Sequence, residues 1–110
     1  MEKFVKGDVV VLPFPFSDLS ASKKRPALVI AALDGDDIIL CQITSKARTD
    51  NYSIILNNSD FKQGNLNLIS IIRPNRLFTA DKSIVLYKIG SLKDKKLKEV
   101  IDSISDIIKK

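Results

Sequence analysis

Apolar residues in this chain come in short runs separated by clusters of turn formers, and only near the C-terminus does their period change. Residues 9–12, Val-Val-Val-Leu, are β-branched or aliphatic and follow the turn pair Gly7-Asp8, which predicts a strand running into a core. Pro13 and Pro15 then remove two backbone donors and confine residues 13–16 to a sheet edge or an extended arm. Residues 17–22 are rich in Ser and Asp and predict a loop. Two further apolar runs, 27–32 and 38–43, flank a turn containing Asp34-Gly35, the pattern of a β-hairpin. The second of these runs is nearly continuous, which predicts burial on both faces. Short strands follow at 52–56 and 69–72, with a turn at 57–60 and a loop at 61–65 between them; residues 66–68 alternate. The pattern next predicts a single helical turn over 75–79, holding Leu77 and Phe78 in the core, and a last buried strand over 83–89.

Beyond that point Leu97, Val100, Ile101, Ile104, Ile107 and Ile108 recur at spacings of three and four, one apolar stripe on a helix. Lys93, Lys95, Lys96, Lys98, Lys109 and Lys110 lie opposite it or at its ends. Ser91 with Asp94 three residues on predicts the helix start as a capping box. The elements together describe a mainly β chain closed by a C-terminal helix. At 110 residues and 45% hydrophobic content, the chain is the size of one domain with one core, here residues 1–110. No apolar run approaches the ~20 residues of a membrane helix, and residues 1–6 lack the apolar region of a signal peptide, so the expected location is cytoplasmic, away from membranes.

Composition narrows the chemistry. The chain contains no histidine, which excludes a Ser-His-Asp triad, a paired-histidine ribonuclease and a histidine-bearing zinc site. Any catalysis must run through Arg, Lys, Thr, Ser, Tyr or carboxylates. The single Cys41 permits no internal disulfide and, among aliphatic neighbours, reads as a small buried hydrophobe. A net charge of +5 is compatible with a polyanionic partner, but the excess lies from Asn51 onward and does not by itself locate a binding face.

One stretch concentrates charge beside rigid backbone. Lys23, Lys24 and Arg25 precede Pro26, which drives Arg25 into an extended conformation at the start of a strand. A planar, permanently charged fork on a strand end suits a phosphate. Antiparallel pairing of 27–32 with 38–43 would bring Arg25 and Thr44 out at the same edge, since the start of one strand lies beside the end of the next.

The residues Gly7-Asp8-Val9-Val10, Pro13-Phe14-Pro15-Phe16, Lys24-Arg25-Pro26-Ala27-Leu28-Val29-Ile30, Ile43-Thr44-Ser45-Lys46 and Leu77-Phe78-Thr79-Ala80-Asp81-Lys82 occur in the order seen in MazF/PemK-like toxins of bacterial toxin-antitoxin pairs. The chain resembles that family over most of its length. The resemblance implies an SH3-like β-barrel of the MazF/CcdB/PemK type and a homodimer. It also implies metal-independent cleavage of single-stranded RNA, needing no cofactor, and inhibition by a cognate antitoxin, with operator DNA as a partner of the toxin-antitoxin complex. Arg25 and Thr44 would be catalytic, with Lys23, Lys24, Ser45, Lys46, Arg73, Asn75, Arg76, Thr79 and Asp81 contacting substrate. Several have a plainer reading: Arg25 as a solvated strand-end cation, Thr44 as a strand former, Lys46 and Arg48 as a solvated loop, Arg73, Asn75 and Arg76 as surface groups or a helix cap, Asp81 as a cap or turn residue. Phe14, Phe16 and Tyr52 could stack on bases, but core aromatics are the default. The rival function is a CcdB-type gyrase poison on the same barrel, or an inactive nucleic-acid-binding, autoregulatory member.

Overall fold

The computed structural model describes residues 3–14, 23–45 and 50–110. Residues 17–22, together with Pro15, Phe16, Lys46 and Arg48, lie outside the described residues. Seven strands, β1 (Asp8–Phe14), β2 (Lys23–Ala32), β3 (Asp37–Thr44), β4 (Ile54–Leu56), β5 (Phe61–Gly64), β6 (Ser70–Asp81) and β7 (Tyr87–Leu92), precede one helix, α1 (Asp94–Ile108). They form one antiparallel sheet in the order β4-β6-β3-β2-β1-β7-β5, curled into a half-barrel.

The continuous apolar runs are explained by burial on both faces of β1, β2 and β3. Val9, Leu28, Cys41 and Ile43 pack with Val100 and Ile104 of α1 on one face, and the alternate residues Val10, Leu12, Val29 and Leu40 pack with Phe4 and Ala80 on the other. The turn before β1 is held by Asp8, whose buried carboxylate accepts from the Val5 N–H at 2.9 Å and lies 3.3 Å from Lys88 Nζ. No helix among the described residues is long and apolar enough to cross a membrane.

Four sequence expectations are corrected. Residues 75–79 form no helical turn: β6 runs through them, and Leu77 is 39% exposed. Cys41 pairs with Leu77 but Gln42 with Arg73, so residues 74–76 leave the ladder as a bulge. Pro74, which has no N–H to donate, sits in that interruption, and the Cys41 thiol donates to the Arg73 carbonyl at 2.9 Å beside it. Residues 61–64, expected as loop, are strand β5 paired with β7. The strand expected over 83–89 is instead a 3-10 turn at Lys82–Ile84 followed by β7, with Leu86 and Tyr87 exposed. Ser91 is not a helix cap, because β7 continues through it to the buried Leu92; the cap position is Lys93, which makes no side-chain cap bond.

Candidate phosphate-binding groove

The β2–β3 ladder pairs Ala27 with Gln42 and Leu28 with Cys41. Continued by one alternation, the same register sets Arg25 opposite Thr44 on one face of the sheet, where directly opposed Cβ atoms are about 5 Å apart. Both residues line a groove of about 300 Å³ that also touches Lys24, Pro26, Ile43, Ser45, Leu66, Asn67, Leu68 and Ser70. Pro26 holds the β2 backbone extended where Arg25 emerges, and Arg25 itself pairs with Leu12 of β1, so the guanidinium stands on a strand held by β1. Thr44, opposite Ile71 of β6, is buried, and Ser45 beyond it is exposed. Among the described residues that line the groove two are cations and none is acidic.

Lys24, Arg25, Thr44 and Ser45 are thus brought together, while Lys23 sits exposed at the β2 start, paired with Phe14. Lys46 lies outside the described residues. Arg73, Asn75 and Arg76 do not line the groove. Arg73 and Asn75 donate instead to the Asp50 carboxylate, at 3.2 and 3.4 Å, and Arg76 is exposed on the β6 bulge. Thr79 and Asp81 are farther still. They pair with Ile39 and Asp37, which at about 3.3 Å per residue puts them roughly 17 and 23 Å along β3 from Thr44. Asp81 caps the following 3-10 turn, accepting from the Ser83 N–H at 2.8 Å, which is its plainer reading realised.

Sequence reasoning missed the wall formed by 66–68, because Leu-Asn-Leu alternation imitates a strand. It also missed Asp50. That carboxylate accepts from Tyr52 N–H at 2.9 Å, and from Ser53 Oγ, Arg73 and Asn75, tying the residues after β3 to the β6 bulge. The Tyr52 N–H, then Arg73 and Ser53, hold it below the ordinary carboxylate value. A depressed folded pKa stabilises the fold above the unfolded value and is lost as pH falls through the folded one. Thermal melts from about pH 5 to about pH 3 should therefore fall less steeply for Asp50→Asn than for the unaltered chain, by a modest margin because the site is exposed. Identical slopes would show that Asp50 contributes nothing.

Burial pushes the Cys41 thiol up to about 12, which removes it as a nucleophile at neutral pH. Among the described residues no group of three or more His, Cys, Asp or Glu is placed to hold a metal ion. Two other cavities of comparable size differ in chemistry. One, beside Phe4 and Leu33, carries a paired Lys82–Asp36; the other, at the start of α1, has Lys96 occupied by Asp60 and Glu99.

A curled antiparallel sheet with one C-terminal helix is a fold shared with solved toxin structures. MazF from Deinococcus radiodurans superposes with a TM-score of 0.77 at 19% identity, covering 100% of both chains. An endoribonuclease from Mycobacterial species gives 0.74 at 15% identity, covering 98% of this chain and 93% of that one. The structure of an endoribonuclease with its cognate antitoxin, also from Mycobacterial species, gives 0.73 at 13% identity over 98% and 95%. At such identities the likeness concerns the fold. A model of the PemK-like, MazF-like toxins of type II toxin-antitoxin systems matches residues 5–108, and the chain belongs to that family. No curated protein matches the sequence.

Proposed function

We propose that this chain is a metal-independent endoribonuclease toxin that cleaves single-stranded RNA, with residues 1–110 as one toxin domain. The observation that carries the reading is the groove in which Arg25 and Thr44, on adjoining strand ends, stand with Lys24 and Ser45. In the proposed reaction the RNA's own 2′-oxygen attacks the adjacent phosphorus in line. The 2′-O–P bond forms as the P–O5′ bond breaks; the 2′-hydroxyl loses its proton, and O5′ gains one as it leaves. The products are a 2′,3′-cyclic phosphate and a 5′-hydroxyl. The protein needs no nucleophile of its own, which suits a chain without histidine. What it must supply is orientation and compensation for the extra negative charge on phosphorus. Arg25 is suited to pair with two phosphoryl oxygens, and the Thr44 hydroxyl to donate to one. A guanidinium with a pKa above about 12 does not serve as general base.

Partners follow the same reading: a cognate antitoxin, a second copy of the chain as homodimer, and operator DNA for the toxin-antitoxin complex. The test is incubation of purified protein with single-stranded RNA in EDTA, followed by analysis of the fragment ends. Cleavage undiminished by EDTA and yielding cyclic phosphate ends is the expected result. Intact RNA accompanied by gyrase inhibition would move the chain to the CcdB-type alternative.

A further inference from the structure

We propose that the loop 65–69, between β5 and β6, is the base-reading wall of the groove, and that Asn67 and Leu68 hold the nucleobase adjacent to the scissile phosphate. The proposal rests on the endoribonuclease reading and adds to it the residues that select the sequence cut.

The groove has two unlike walls. The β2–β3 side offers Lys24, Arg25, Thr44 and Ser45, cations and hydroxyls that suit phosphoryl oxygens; the side leading into β6 offers Leu66, Asn67, Leu68 and Ser70, which carry no charge. A phosphodiester arrives with its bases attached, so a group that lies across from the phosphate site meets a sugar or a base. A base has apolar faces and an edge of donors and acceptors. Leu68 matches the face: it is 66% exposed, yet it is one wall of a concave site rather than an isolated surface leucine. Asn67 matches the edge, since its amide carries an acceptor and two donors on one short side chain.

Selectivity requires that such groups be held still. Ser70 is buried and its hydroxyl donates to the Leu68 carbonyl at 3.1 Å, fixing the loop backbone next to the exposed side chain. Leu66, one residue before Asn67, packs against the core under α1. At its start the loop leaves Gly64, whose backbone lies against that of Gly90 in β7. Leu66 inward and Leu68 outward therefore bracket Asn67 on a loop anchored at both ends.

The test maps cleavage of a randomised single-stranded RNA pool, in EDTA, by the unaltered chain and by Asn67→Ala, Asn67→Asp and Leu68→Ala. Circular dichroism and light scattering would accompany it to verify folding and oligomeric state. Asn67→Ala is expected to keep cutting but to lose base preference at one position beside the cut, by about tenfold. Asn67→Asp keeps the shape and loses the amide donors, and is expected to change which base is preferred there. Leu68→Ala is expected to raise KM several-fold with kcat little changed. Folded variants with the same cleavage map and the same kcat/KM as the unaltered chain would overturn the proposal while leaving the nuclease reading intact. So would a changed oligomeric state with an unchanged map, which would assign Leu68 to contact between copies. RNA left intact by the unaltered chain would overturn the underlying reading and this proposal with it.

Discussion

Replacing Arg25 with alanine is expected to lower kcat for RNA cleavage by about 10²–10³-fold, the loss seen when one preorganised donor to a developing negative charge is removed. The guanidinium is half-buried at a strand end and lines the groove, outside both apolar clusters, so the melting temperature should hardly move. Arg25→Lys separates two explanations for the loss. It keeps the charge and discards the planar fork, and should recover only part of the rate if both oxygens of one phosphate are held. A surface cation that merely attracts RNA would behave otherwise: lysine would restore the rate in full, and added salt would weaken every variant alike.

The second large effect concerns the fold, at the place where β5 meets β7. A Cβ on Gly90 would stand 2.1 Å from the Gln63 carbonyl oxygen, and one on Gly64, whose φ is +74°, would stand 2.1 Å from that of Ile89. Both obstacles are backbone, so no side chain can turn aside; the two strands must part. Gly90→Ala should cost about 3 kcal/mol or more, at or above the top of the ordinary range for a single substitution, and lower the melting temperature by roughly 10–20 °C. Gly35→Ala is the control. Its φ of +88° also disfavours alanine, but nothing lies within 4 Å of the added carbon, so its cost should stay nearer 1 kcal/mol. Gly90 has no positive φ, so a loss there no larger than at Gly35 would show that the two strands accommodate the added carbon and that their close approach does not govern stability. Because Gly64 opens the loop carrying Asn67, the packing of these two glycines also sets one wall of the groove.

Much of this was legible in the sequence wherever the determinants were local. The stripe through Val100 and Ile104 specified a helix with one buried face, and the Asp34-Gly35 turn between two aliphatic runs specified the hairpin that aligns Arg25 with Thr44. What escaped depended on partners distant in sequence. Nothing in Phe61-Lys62-Gln63-Gly64 announces a strand until β7 lies beside it. Pro74 argued for a strand end, yet β6 passes it by displacing three residues, with Cys41 donating at the interruption. Ser91 had the chemistry of a cap, but the pairing of β7 with β1 and β5 draws it into the sheet and moves the helix start onward. Thr79 and Asp81 share β6 with Ile71, the residue opposite Thr44, and a twelve-residue strand carries them to the sheet's other end.

If one guanidinium and one hydroxyl serve the same phosphate, a double-mutant cycle on kcat/KM with Arg25→Ala, Thr44→Ala and the pair will show it. Residues acting as a unit lose far less together than the product of their separate losses, so the double variant should cleave RNA about as slowly as the slower single one. Losses that multiply in full, or a Thr44→Ala variant as fast as the unaltered chain, would contradict it.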